Sequence, residues 1–319
     1  MEMQSTAKRR AFTLVEMLVV VAIIGILASL ISVAAAAAMR HAWKSRVKNE
    51  VTQLSNAMVA FKEKFGDYPP DFTGADLADK EARIERFLAK AFPRYQAKAD
   101  VNPNNGTKDW KDHLGNMIGT TRLTQLLNSQ GNAGALVLWL GGEPILSNDD
   151  KVTGFAGFSA NPRNPFEKST VTSTRIGPFF DFAPDRIRDV DADLTDEDAL
   201  WYCQVGSQPN DTEPYLYFRA RVSANQFAAY DPSEQIWTSG SRNIRPVHDK
   251  RLGKNASNNY AWPNVQTFQI RAAGGDGMHG TGTAYPDGAA DGNATVYDAF
   301  NYDDSANFIT GVDFEADLP

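Results

Sequence analysis

The sequence predicts an α+β fold, with a long N-terminal helix packed on a small antiparallel sheet and an enlarged helical and loop insertion between them. Three observations carry that expectation. Residues 17–39 form a run of 23 without a single ionisable side chain. Val47, Val51, Leu54, Met58, Phe61 and Phe65 then recur at spacings of 4-3-4-3-4, which marks one face of a helix. Far downstream, residues 215–222 and 265–271 have the aromatic and β-branched content of strands.

At the N-terminus, Lys8, Arg9 and Arg10 precede Phe12, Thr13, Leu14, Val15 and Glu16, and the apolar run follows. A helix needs about 20 apolar residues to cross a bilayer, so the run is long enough. Glu16 is the discordant residue, because a carboxylate costs roughly 2.5 kcal/mol or more toward the membrane centre and asks for a functional partner. A secretory signal peptide also has a basic beginning, and residues 34–38 would offer it small-residue cleavage sites. Its apolar region, however, is shorter than this one, and Glu16 stands where that region should start. A plain single-span anchor is the other alternative.

These features in this order resemble the N-terminus of type IV pilin-like proteins. The resemblance covers about the first 60 residues and implies a leader over 1–11, cut by prepilin peptidase between Ala11 and Phe12. It further implies N-methylation of Phe12 and makes Glu16 the fifth residue of the processed chain. The sequence departs from the family at Ala11, where the peptidase usually meets Gly. Lysines and arginines lie on both sides of the span, so the positive-inside rule does not orient it. The resemblance does, with the N-terminus cytoplasmic and the head outside the inner membrane.

Along the chain, residues 12–39 read as the transmembrane half of the helix and 40–66 as its amphipathic half, stopped by Gly66 and then Pro69-Pro70. Residues 67–319 form the extracytoplasmic head. There, Thr73 and Asp76 offer a capping pair for a helix through Phe92, with Leu77, Ile84, Phe87 and Leu88 on its apolar side. Residues 93–119 read as loop, and a further helix is expected over 121–129. The apolar segment 134–144 is helix or strand, which periodicity does not separate. Residues 189–193 begin like a calcium loop, but Leu194 and Leu200 stand where an EF-hand needs Gly and Glu. They read as an acidic turn into a helix capped by Thr195 and Asp198.

Charge is split along the chain, with 9 Lys/Arg against 4 Asp/Glu in residues 1–65 and 23 against 35 in residues 66–319. The head is therefore acidic and carries no basic stretch of the kind nucleic-acid binding needs. The sole cysteine, Cys203, excludes an intramolecular disulfide and reads as a small buried apolar residue. His41, His113, His248 and His279 are scattered, and no nucleophile elbow or phosphate loop occurs, so the chain reads as non-enzymatic. An anchored glycosidase using two Asp would need an acid and a base flanking a cleft.

The second informative stretch is residues 268–288, where a strand runs into Ala273-Gly274-Gly275-Asp276-Gly277; Asp303-Asp304 and Asn307-Phe308 follow downstream. Calcium takes six to eight oxygen ligands from carboxylates and carbonyls, and a glycine loop with a returning Asp pair supplies those types. This pattern resembles the calcium-binding end of the major pseudopilins of type II secretion. The resemblance carries calcium ligation onto Asp276 and Asp304, with Asp303 beside them and Asn307-Phe308 closing the motif. The segment 274–308 is longer than usual and also holds Asp287, Asp291 and Asp298, while His279 reads as an exposed turn residue.

The two resemblances together imply a structural subunit of a type II secretion pseudopilus or a type IV pilus-like filament. Its partners would be other copies of itself, other pilin-like subunits, prepilin peptidase and the inner-membrane assembly machinery. Glu16 would meet the amino group of a neighbour's Phe12. The alternative is a single-span anchored binding module that does not polymerise.

Overall fold

A computed structural model describes residues 14–95, 108–149, 151–189, 198–204, 213–221, 228–239, 242–249, 252–254, 260–273, 279, 284–285 and 305–308. Helix α1 spans Leu14–Phe65, 52 residues. The chain divides into two units between Trp43 and Lys44. In the first, Leu14–Ser32 is long and apolar enough to cross a membrane, and none of it is buried. In the second, Val47, Val51, Leu54, Met58, Phe61 and Phe65 are all buried, which is the face the spacing predicted. Gly66 ends the helix at φ +85°, a left-handed conformation that glycine adopts without a Cβ penalty, and its N–H reaches the Lys62 carbonyl at 2.7 Å.

Helix α2, Leu77–Ala91, is capped by Asp76 alone, whose side chain accepts from the Asp79 N–H at 2.8 Å. Thr73 bonds to Asp71 instead (2.7 Å), so the expected capping pair is half right. Ile84, Phe87 and Leu88 face the core, whereas Leu77 is 47% exposed. The stretch 93–119, expected as loop, contains helix α3, Asp109–Ile118. Trp110, Leu114, Met117 and Ile118 lie on one buried face of it. Lys108 and Lys111 tie this region to α2 through Glu81, and Lys108 also pairs with Glu85. Those distant partners stabilise a helix that its Asn, Gly and Asp content hid.

Helix α4, Thr120–Gln125, and a π-helical turn, Leu126–Gln130, lead into α5, Gly131–Gly141. The ambiguous apolar segment is therefore helical. Every residue of α5 is buried, a setting in which a helix satisfies its own backbone groups. Gly142 follows at φ +76°, where an added Cβ would stand 2.4 Å from the Gly157 carbonyl.

The strands are short. Pro144–Leu146 (β1) pairs with Val152–Phe155 (β2), Phe158–Ser159 (β3) with Arg175–Ile176 (β4), and Ile187–Arg188 (β5) with Trp201–Tyr202 (β6), all antiparallel. Beyond Leu216–Arg219 (β7) come the hairpin of Trp237–Ser239 (β8) with Arg242–Ile244 (β9), then His248–Asp249 (β10), Phe268–Ala272 (β11), Ala284–Tyr285 (β12) and Ser305–Ala306 (β13). The central sheet is antiparallel, in the order β13-β11-β7, and β7 and β11 coincide with the two strongest strand candidates. Strand β10 pairs with β12 in parallel.

The helix expected after Thr195 is not found where the chain is described. Residues 198–200 are irregular and β6 follows. Arg122 donates to the Asp198 carbonyl (2.6 Å) and the Gln125 side chain accepts from the Ala199 N–H (2.5 Å), so tertiary partners replace helical ones. Residues 190–197 of the acidic turn lie outside the described residues, while Asp189 itself is buried.

The core among the described residues includes two aromatic-rich clusters. Ala133 of α5 packs with Trp201, Cys203, Leu216, Phe218, Trp237 and Trp262, and Cys203 is buried as expected. Phe61 and Phe65 of α1 meet Phe92, Phe158, Phe179 and Trp139 at ring separations of 4.9–6.3 Å. Edge-to-face geometry dominates these contacts. The predicted α+β arrangement is the observed one.

Candidate functional site

Glu16 sits in the first turn of α1, within the exposed apolar stretch. A carboxylate there complements the partial positive charge of the helix N-terminus. Ala11 and Phe12 lie outside the described residues.

A second carboxylate on the same helix was overlooked in the sequence. Glu50 lies three residues after Val47 and four before Leu54, so helical spacing already put an acid on the buried face. The head supplies its partners. Arg186 forks onto it, with Nη1 at 2.7 Å from Oε1 and Nη2 on Oε2. The hydroxyls of Tyr202 (3.1 Å) and Tyr215 (2.6 Å) donate to the same carboxylate. Arg186 also donates to the Cys203 carbonyl and lies 4.2 Å from the Tyr202 ring centre. Burial disfavours the charge on Arg186, but the hydrogen bonds and charge of Glu50 outweigh it and hold its pKa above the ordinary value. Burial, then the Glu50 charge, push both phenols up, so they remain donors. Nothing local to Arg186, Tyr202 or Tyr215 marked them, because each is brought to Glu50 from more than 100 positions away.

At the carboxyl-terminal constellation, the described residues are the two ends of the glycine- and aspartate-rich segment, His279 and the short strand β12. Ala272 faces Ser305 and Arg271 faces Ala306 across β11 and β13, so the segment 273–304 starts and finishes side by side. Asn307 extends that ladder. Its Oδ1 accepts from the Ile270 N–H (3.1 Å), its Nδ2 donates to the Phe268 carbonyl (3.3 Å), and its own N–H reaches the Ile270 carbonyl (3.2 Å). Phe308 packs with Val247 and Ala306, and Lys48 of α1 donates to the Ala306 carbonyl at 2.9 Å. Asn307 and Phe308 thus clamp the base of the segment.

Asp276, Asp303 and Asp304 lie outside the described residues, and among the described residues no cluster of three metal-binding side chains occurs. His279 is not the exposed turn residue expected. It is fully buried, its Nε2 stands 2.7 Å from the Pro214 carbonyl, to which it donates, and its ring meets Trp237 edge-on at 6.0 Å. The glycines beside it in the sequence hid an anchoring role, because its partners, Pro214 and Trp237, are distant in the chain.

Residues 6–38 match the prokaryotic N-terminal methylation motif, a type IV pilin-like prepilin signal of the kind prepilin peptidase processes. The single apolar N-terminal helix with this motif fits a single-pass inner-membrane anchor. Neither the curated proteins nor the solved structures contain a match to the chain.

Proposed function

We propose that the protein is a structural, non-catalytic subunit of a type II secretion pseudopilus or type IV pilus-like filament. It is cut between Ala11 and Phe12, N-methylated at Phe12, held in the inner membrane with its head extracytoplasmic, and then drawn into the filament. The observation that carries this reading is the methylation motif over residues 6–38, which overlaps an apolar helix whose side chains are exposed throughout. Such a surface has to be covered by lipid or by the helices of other subunits. Within a helix bundle, Glu16 meets the amino group of a neighbour's Phe12, and each neutralises a charge that would be costly alone at low dielectric. Calcium, held by Asp276, Asp304 and Asp303 with backbone carbonyls, orders the segment that β11 and β13 bring together at its base.

The Glu16→Gln variant tests the assembly role. Removing a charge from the span leaves membrane insertion intact, so the variant accumulates in the membrane but fails to enter filaments. Filament or secretion yield equal to wild type would remove the pairing role.

A further inference from the structure

A cleft of about 460 Å³ opens between α2, the segment after α1 and the end of β7, lined by five cations and two carboxylates in a head that is otherwise acidic. Arg83, Arg86 and Lys90 project from one face of α2 at spacings of three and four, and Arg219 and Arg221 alternate on the facing strand end. Carboxylates bridge the two rows. Asp67 pairs with Lys90 (2.9 Å) and Arg219 (3.1 Å), and Glu234 pairs with Arg83 (3.7 Å) and Arg221. Asp79 and Asp231 take further bonds from Arg83 and Arg221. The second lining carboxylate, Asp71, is occupied by the Gln235 side chain (2.7 Å), the Thr73 hydroxyl (2.7 Å) and the Arg219 N–H (2.9 Å).

Two donors lining the cleft, the Arg86 guanidinium and the Arg221 Nε, stand apart from these pairs. Arg86 makes no ion pair among the described residues, and its Nε reaches only the Ala82 carbonyl at 3.2 Å. The Nε of Arg221 is buried and meets no acceptor among the described residues. Tyr68, Pro70 and Phe87 supply apolar walls beside these donors. A volume in this range, apolar walls and a few convergent polar groups are the attributes of a small-molecule site, usually about 300–1,000 Å³. Guanidinium forks match planar or tetrahedral oxyanions better than point charges do.

We infer that this cleft binds a small soluble organic anion, a carboxylate or phosphate carried on a flat or apolar body, with the oxyanion at Arg86 and the body against Tyr68 and Phe87. The site is independent of whether the chain forms filaments. It is tested by calorimetric titration of the full-length protein in a neutral detergent with phenyl phosphate, and separately with inorganic phosphate. Saturable binding of phenyl phosphate at one site is expected, weakened about tenfold or more in Arg86→Gln and unchanged in Arg163→Gln, an exposed arginine elsewhere. Arg86 is exposed and bonds only within its own helix, so its substitution leaves the fold intact. Inorganic phosphate binds more weakly if the apolar wall contributes. No saturable binding of phenyl phosphate, an Arg86→Gln affinity equal to wild type, or equal affinity for the two anions would overturn the assignment.

Discussion

Two carboxylates of α1, Glu16 and Glu50, stand on the same helix and meet opposite settings. Glu50 lies on the face covered by the head and receives a forked arginine and two phenols from the same chain. Glu16 lies in a stretch whose apolar neighbours are exposed, from 46% at Met17 to 81% at Leu14. What this teaches is that an acid on an apolar helix is read by what covers the helix. Where the head covers it, the acid fixes the helix to the head. Where the apolar surface is exposed among the described residues, the pairing proposed for Glu16 lies with a neighbouring subunit.

The sharpest way to break the comparison is at Glu50. Glu50→Ala leaves Arg186 charged and buried without its carboxylate, a loss of about 3–5 kcal/mol for a broken buried pair. Thermal unfolding of the protein in detergent should show a fall in Tm of many degrees, while Glu16→Gln leaves Tm within error of wild type. Similar losses for the two variants would erase the distinction.

A smaller effect is expected from calcium. A ligand that binds only the native state adds about 2.7 kcal/mol at a hundredfold excess over Kd. Calcium should therefore raise Tm, chelator should lower it, and Asp276→Ala and Asp304→Ala should each remove most of the gain. Asp189→Ala should keep the response to calcium. A melting curve indifferent to chelator would reduce the 274–308 segment to a turn.

An acid effect, confined to low pH, is expected at His248, which stacks on Trp262 with ring centres 3.3 Å apart. Burial pulls its pKa down to about 4. Its neutral form is favoured in the folded state, so stability is fully present above the unfolded value near 6.5 and is lost as pH falls from there toward 4. The slope is at most about 1.4 kcal/mol per pH unit, since one proton is taken up by the unfolded chain. His248→Phe, which retains the stacking ring, should flatten Tm between pH 6.5 and 4. An unchanged slope would assign the acid sensitivity to other groups.

Much of this architecture was legible in the residues. The 4-3-4-3-4 spacing marked the buried face of α1, and β7 and β11 were marked by aromatic and β-branched content. The missed elements share one physical cause, which is that their stabilising partners are distant in the chain. Helix α3 draws on Glu81 and Glu85 of α2, and the irregular turn at Asp198 draws on Arg122 and Gln125. His279 docks on Pro214, 65 positions away in the chain. Glu50 alone was within reach, because its place between Val47 and Leu54 is a matter of counting.

The N-terminus of the chain after it reaches the membrane is the most direct test of pilin-like processing. Intact mass measurement and N-terminal sequencing of protein recovered from a host with prepilin peptidase should find an N-methylated Phe12, and a host lacking the peptidase should retain the leader. Ala11→Gly should speed conversion without moving the site. A chain that starts near Ala38, or that keeps residues 1–11 in the presence of the peptidase, would contradict it.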